Sequence, residues 1–396
     1  MYQALYRKWR PMSFDDVVSQ PHITTTLKNQ IKSGKTAHAY LFTGSRGTGK
    51  TTCARIFAKA INCLDPHNGE PCLECEICKD ADNGTLSDII EIDAASNSKV
   101  DDIRELREGV VYTPERCKYK VYIIDEVHML SAGAFNALLK TMEEPPPHVK
   151  FILATTEIHK VPATIVSRCQ HFDFHRIRNE DIVSRLMYIA SQEGFTLHED
   201  AAGMIARLSD GGMRDALSLL DQCVAYENDI TLDVVSSASG IAGRDYLFDI
   251  LEKIAEKDAA GALRVVDKLY DMSKDLKVLA GELLAQMRNV MIIKTIDNNK
   301  DLITCLPDEY ERLKALAERM KLDEILGDIN TLQECSERFA KSTSKRIELE
   351  MCIIKLCGAA QKAGATAQAV SGNAEITVLL NRITQLENAL KNGAVL

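Results

Sequence analysis

Gly44-Ser45-Arg46-Gly47-Thr48-Gly49-Lys50-Thr51 fits the spacing G-x-x-x-x-G-K-[ST], and the chemistry of that spacing is phosphate binding. Phosphates concentrate negative charge. Glycines let successive backbone N–H groups converge on it, and the positive end of a following helix adds to the field. In this pattern Lys50 reaches the β and γ phosphates of ATP, the Thr51 hydroxyl ligates Mg²⁺, and Thr52 carries the cradle into the helix. About 75 residues later, Val121-Tyr122-Ile123-Ile124-Asp125-Glu126-Val127-His128 ends an apolar run on two acids. Asp125 is expected to hold Mg²⁺, directly or through water. Glu126 is expected to polarise the attacking water as a general base.

Cys63-x8-Cys72-x2-Cys75-x2-Cys78 is the second constellation. Four thiolates at these spacings surround one tetrahedral Zn²⁺ and leave no open coordination position, so the role is structural. Pro66, Asn68, Gly69 and Pro71 supply the turns of such a knuckle. An iron–sulfur cluster accepts the same four ligands, with zinc the simpler reading. The other eight cysteines are scattered and read as small apolar residues of packed elements.

Positioning these groups calls for a parallel sheet. Strands are expected at 39–42, 89–92, 121–124 and 151–154, each ending at polar or small residues, because open α/β sheets bind ligands at the carboxyl ends of their strands. A helix through Ile61 follows the loop. From Asn179 the spacing turns helical, over 181–193, 200–208 and 214–225, with no strand-like run. Longer helices at 246–257, 259–272, 276–296 and 322–339 suit a bundle. The expected organisation is an α/β nucleotide-binding domain over 1–178 with the cysteine module at 63–78, then a small helical domain over 179–242 and a helical domain over 243–358. An Ala-, Gly-, Gln- and Ser-rich linker over 359–373 and a short amphipathic helix over 374–396 complete it. Ile376, Leu379, Ile383, Leu386 and Leu390 line that last helix, which suits a coiled coil, a partner or the chain's own core.

A chain of 396 residues calls for two or three cores, and its 45% apolar and 27% charged residues suit a folded protein. The start, Met1-Tyr2-Gln3, runs into Arg7-Lys8-Trp9-Arg10 without an apolar signal core. No segment approaches the roughly 20 apolar residues of a membrane helix. The expectation is a cytoplasmic chain with reduced cysteines. Its net charge of −9 repels a polyanion, so nucleic acid would need a local basic face or a channel shaped with partners.

Several segments together carry a resemblance: Tyr6-Arg7-Lys8-Trp9-Arg10-Pro11, the phosphate loop, the cysteine insertion, Glu91-Ile92-Asp93-Ala94-Ala95-Ser96, Asp125-Glu126-Val127-His128-Met129-Leu130, the Leu138-Leu139-Lys140-Thr141-Met142-Glu143-Glu144-Pro145-Pro146 run, Ser167-Arg168-Cys169 and Gly211-Gly212-Met213-Arg214-Asp215-Ala216. Over residues 1 to about 360 the chain resembles the bacterial DNA polymerase III gamma/tau family, the AAA+ ATPases of the clamp loader. The resemblance implies an α/β P-loop AAA+ domain with a zinc insertion, a small helical lid and an all-helical collar that holds a ring together. It implies that Arg168 is an arginine finger offered to ATP on the neighbouring subunit, a use suited to a permanent planar cation. Arg214 becomes the lid arginine that reads the γ-phosphate. Thr156 becomes the first sensor, with Thr155 beside it as the alternative, and residues 6–11 border the adenine.

The implied partners are the delta and delta-prime subunits and further gamma/tau copies in a five-subunit ring. That ring acts on the beta sliding clamp and primer–template DNA, in the cytoplasm at the nucleoid. Asn97, Ser98, Lys99 and Arg104 are the candidates for DNA contact, although Lys99 and Arg104 suit a solvated helix face equally well. The long form of the family continues into segments that bind helicase and polymerase. This chain ends at Leu396, as a gamma-like short form or as part of a longer one, and such tethering stays open. A non-hydrolysing subunit like delta-prime is disfavoured by the presence of Lys50, Thr51, Asp125 and Glu126. A Holliday-junction motor is disfavoured by the cysteine insertion and the collar. No polymerase active site is expected.

Overall fold

Strand β1, Ala39–Gly44, is buried along nearly its whole length. It is the second strand from one edge of a five-stranded parallel sheet that also contains β2 (Ile89–Asp93), β3 (Lys120–Asp125), β4 (Val149–Thr155) and β5 (Gln170–Phe174), in the order β2-β3-β4-β1-β5. Leu41, Tyr122, Ile124, Phe151 and Leu153 pack on one face, and Tyr40, Phe42, Ile123 and Ile152 on the other. Successive side chains point to opposite faces, so a strand covered on both sides reads as one apolar run. The pairings Thr43 with Thr155 and Asp93 with Asp125 bring the carboxyl ends of the strands level. This is a computed structural model that describes residues 3–96, 106, 108–239, 245–297, 302, 303, 305, 307–339, 342 and 344–358. Asn97, Ser98, Lys99, Arg104, the expected linker 359–373 and the expected helix 374–396 lie outside the described residues.

The edge strand β5 was not among the strands expected from the sequence. His171 and Asp173 are exposed while Phe172 and Phe174 are buried, an alternation that breaks the apolar run of a strand covered on one face. Helices α1 (Leu5–Lys8), α2 (Pro21–Ser33), α3 (Lys50–Asn62), α4 (Glu76–Asn83), α5 (Ala132–Glu143) and α6 (Ala163–Val166) belong to this part of the chain. Ser131 caps α5 by accepting from the Ala134 N–H at 3.3 Å.

Residues 1–242 form one unit, completed by α7 (Asn179–Glu193), α8 (Glu199–Leu208), α9 (Met213–Tyr226) and α10 (Leu232–Ala238). The expectation of no strand here is corrected: β6 (Thr196–Leu197) and β7 (Asp229–Ile230) pair in parallel. Two residues are too few to show a period, so the pattern could not reveal them.

Residues 243–396 form the second unit. Its described helices are α11 (Asp245–Ala255), α12 (Ala259–Asp271), α13 (Leu276–Thr295), α14 (Pro307–Arg319), α15 (Leu322–Arg338) and α16 (Lys345–Leu356). Leu283, Met287, Leu313, Leu332 and Ile353 share its core. Arg312 reaches Asp245, Asp249 and Glu252 of α11 at 2.9–3.1 Å. Among the described residues, no helix is long and apolar enough to cross a membrane.

Gly44 links this packing to the chemistry. Its φ is +131°, and a Cβ there would collide with the carbonyl oxygen of Phe174 on β5. Gly34 also has a positive φ, +65°, but open space around it. We expect Gly34→Ala to cost about 1 kcal/mol and Gly44→Ala about 3 kcal/mol or more, since backbone must move. Thermal unfolding of the two variants checks this, and equal losses would contradict it.

Candidate functional site

The loop after β1 turns directly into α3. Positive φ at Gly47 (+76°) and Gly49 (+105°) folds it back over the end of the sheet. Lys50, the first residue of α3, is buried and donates from Nζ to the carbonyl oxygens of Gly44 at 2.9 Å and Ser45 at 2.7 Å. Burial pushes its ammonium below the usual lysine range, opposed by the carboxylates of Glu126 and Asp125. The Thr48 hydroxyl donates to the Ser45 carbonyl at 2.8 Å and tightens the turn.

Strand β3 brings the acids to the same place. The Thr51 hydroxyl donates to Asp125 Oδ2 at 2.7 Å, which joins the two groups expected to share Mg²⁺. Both are oxygen donors, as that ion requires. Glu126 adopts a left-handed backbone, φ +46°, and turns the chain into a single turn of tight helix, Val127–Met129. At the end of β4, Thr156 donates to Glu126 Oε2 from its N–H at 3.3 Å and its hydroxyl at 3.1 Å. Thr155 is fully buried and meets His128 instead, at 3.0 Å. Of the two threonines, the contact with Glu126 therefore falls to Thr156.

One cavity is lined by Arg46, Gly47, Thr48, Gly49, Lys50, Thr51, Thr52, Asp125, Glu126 and Arg214. Gly44 and Ser45 do not line it, and act on it by accepting from Lys50. The α9 end of the lid closes the cavity: the Met213 N–H donates to the Gly47 carbonyl at 3.0 Å. A Cβ on Gly47 would come within 3.0 Å of Gly212 Cα, so this close approach needs glycine on both sides. Arg214 stands over the Tyr6 ring, 5.3 Å from its centre. Val17, Val18, Ile177, Met213 and Leu217 supply an apolar wall suited to a flat base.

The N-terminal segment is fastened to the lid. Trp9 Nε1 donates to Glu193 at 2.6 Å, Lys8 pairs with Glu193 at 2.7 Å, and Arg185 lies 5.8 Å from the Trp9 ring centre. Arg10 and Arg185 line the cavity and were not singled out from the sequence. Arg10 had a signal in its place within residues 6–11, while Arg185 had none, being one charge on a helix. Arg168 stands apart. It follows α6, is about one-third exposed, pairs with Glu143 at 2.8 Å and does not line the cavity.

The four cysteine sulfurs lie within 4.8 Å of one another. Cys63–Cys75, Cys72–Cys78 and Cys63–Cys78 separate their sulfurs by 4.0, 3.9 and 3.6 Å. Four bonds of about 2.3 Å to a tetrahedral zinc place sulfurs about 3.8 Å apart, so the cluster fits that ion. Backbone N–H groups of Cys72, Cys75 and Cys78 donate to sulfurs of the cluster at 3.3–3.5 Å. Burial alone would raise the Cys75 thiol, but bonds from the N–H groups of Leu64 and Cys78 and from neighbouring thiols bring it down to about 7. The module is seated on the sheet domain by Glu70, which accepts from the Phe14 N–H at 2.8 Å.

A phosphate loop, an Asp-Glu pair at a strand end and a helical lid docked on the loop define an AAA+ ATPase. Comparison with known proteins agrees. Residues 19–178 match the family described as DNA polymerase III, delta subunit, residues 181–229 the clamp loader subunit ATPase lid domain, and residues 230–369 domain III of subunits gamma and tau. The chain is 42% identical over 391 residues to DNA polymerase III subunit tau of Bacillus subtilis, with 98% of this chain and 68% of that one covered. It is 40% identical over 318 residues to DNA polymerase III subunit gamma of Buchnera aphidicola subsp. Schizaphis graminum, covering 80% and 87%. The Escherichia coli tau subunit is 42% identical over 294 residues, and the match spans 46% of its length. Among solved structures, the Thermotoga maritima RuvB Holliday junction branch migration motor aligns with 63% of this chain and 80% of its own at 19% identity, with a TM-score of 0.45, too low to carry an argument. The chain belongs to the DNA polymerase III gamma/tau family, the ATPase subunits of the clamp loader.

We expect purified protein to carry one zinc per chain, and Cys75→Ser to lose it while retaining nucleotide binding, because a closed site has no catalytic position. Elemental analysis and a nucleotide titration check this. No zinc, or an iron–sulfur absorbance, would contradict it.

Proposed function

We propose that this chain binds ATP with Mg²⁺ and hydrolyses it to open the beta sliding clamp and load it onto primed DNA. The observation that carries the reading is the Thr51–Asp125 contact of 2.7 Å, beneath a cavity that Arg214 closes from the lid. In this reading Lys50 leaves the Gly44 and Ser45 carbonyls to neutralise the β and γ phosphates. The loop N–H groups from Gly47 to Thr51 cradle them. Thr51 and Asp125 hold Mg²⁺, which would neutralise charge on the phosphate oxygens. Glu126 takes the proton of the attacking water, Thr156 holds Glu126, and Arg214 reports the γ-phosphate to the lid.

Arg168 supports a shared site. It lies outside the cavity of its own chain and is about one-third exposed in its pair with Glu143, and in this reading it exchanges that partner for the ATP of a neighbour. The neighbours proposed are gamma/tau copies with delta and delta-prime subunits in a five-subunit ring, in the cytoplasm. Zinc in the Cys63, Cys72, Cys75 and Cys78 module is structural in this reading. The boundaries 1–178, 179–242 and 243–358 are the working division into ATPase domain, lid and collar.

Lys50→Ala is expected to abolish ATP binding or hydrolysis, because the loop then has no lysine to meet the phosphates. Near-normal turnover would overturn the reading. Arg168→Ala is expected to bind ATP almost as the parent does while hydrolysis falls on the order of 10³-fold. Mixed rings of Arg168→Ala and Lys50→Ala subunits should regain part of the activity, since one interface joins an intact loop to an intact Arg168. No recovery in rings whose assembly is verified by sizing would contradict action in trans.

A further inference from the structure

His128 lies two residues beyond Glu126, and the proposed function gives it no role. Its side chain is 7% exposed. The left-handed turn at Glu126 reverses the chain and brings the imidazole back beneath the carboxylate. Nδ1 lies 3.3 Å from Glu126 Oε2 and 3.0 Å from the Thr155 hydroxyl. Nε2 lies 3.2 Å from Glu157 Oε2, and Glu157 in turn holds Lys160 at 2.6 Å. A carboxylate oxygen can only accept. A ring nitrogen therefore meets either acid only through an N–H, and the Thr155 hydroxyl shares Nδ1 with Glu126.

The two oxygens of Glu126 are treated differently. Oε2 accepts from the Thr156 N–H and the Thr156 hydroxyl, and His128 Nδ1 lies 3.3 Å from it. Oε1 has no hydrogen-bond partner among the described residues, and Glu126 lines the nucleotide cavity. One oxygen is held from behind while the other is left for the site. A carboxylate has two soft torsions beyond Cβ, and a base must stand within hydrogen-bond reach of the proton it takes. Thr156 alone fixes one point on the carboxylate from the β4 side. His128 approaches that same oxygen from the turn after β3, so Oε2 is confined from two directions.

We propose that His128 is a positioning residue for Glu126, acting through its Nδ1 nitrogen, with Glu157 orienting the ring from the other side. This rests on the reading of Glu126 as the general base. A misplacement of about 1 Å can cost 10²-fold in rate, which sets the scale of the effect.

The geometry separates the two ring nitrogens, and so can the test. An Asn side chain places its NH₂ close to the position of Nδ1, and a Gln places it close to Nε2. His128→Ala, His128→Asn and His128→Gln would be made in the full chain, assembled into rings, and assayed for ATP affinity, thermal stability and single-turnover hydrolysis. His128→Ala is expected to keep ATP affinity within about twofold and to lose on the order of 10-fold or more in hydrolysis rate. His128→Asn should recover much of that rate and His128→Gln little of it. Rescue by Gln rather than Asn would overturn the proposal, as would equal behaviour of all three or a loss confined to stability. Glu126→Gln is run alongside. If Glu126→Gln hydrolyses ATP normally, the reading of Glu126 fails. If Glu126→Gln is inactive while His128→Ala is normal, only the role of His128 fails.

Discussion

Three parallel strands must end at the same level for this site to exist. The loop comes from β1, the acids from β3 and the threonine pair from β4. In a parallel sheet the register is set by which residues can be buried, and a slip of one residue would exchange the two faces of a strand. Here Leu41, Tyr122 and Phe151 belong to one face, and Tyr40, Ile123 and Ile152 to the other. The same burial that fixes the register puts Thr51 and Asp125 within one hydrogen bond. The cores on either side of the sheet thus set the geometry at the carboxyl ends of its strands.

A second consequence concerns charge. Lys50 is buried, its direct partners among the described residues are carbonyl oxygens, and Glu126 and Asp125 are the carboxylates that favour its charged form. A buried cation held by neutral acceptors is poorly compensated. An anionic ligand therefore gains more from it than it would from an exposed lysine. The lid contributes through backbone as well as side chain. The Met213 N–H on the Gly47 carbonyl makes the loop and α9 one hydrogen-bonded unit, so a shift in one is felt by the other.

Much of this was legible in the sequence because the informative features are local. Gly44 to Thr51 must be contiguous to wrap a phosphate, and the strands carrying Thr43 and Asp125 are buried on both faces, hence continuous apolar runs. The four cysteines lie within 16 residues, from Cys63 to Cys78, and one ion can gather them. The features that escaped have other causes. Edge strand β5 is half covered and alternates, and the β6–β7 pair is only two residues long on each side. Arg185 reaches the cavity from α7 through tertiary packing, without a periodic or spacing signal. The His128 contacts join residues 126, 155 and 157, a long-range arrangement that only the paired ends of β3 and β4 define.

The central claim is that ATP turnover at this site is coupled to a clamp and primed DNA. It is tested most directly by the steady-state ATPase rate of the assembled ring, alone, with clamp, and with clamp plus primer–template DNA. The account predicts a low basal rate that rises clearly only when both are present. A rate indifferent to clamp and primed DNA, or one stimulated equally by unprimed duplex without clamp, would contradict it.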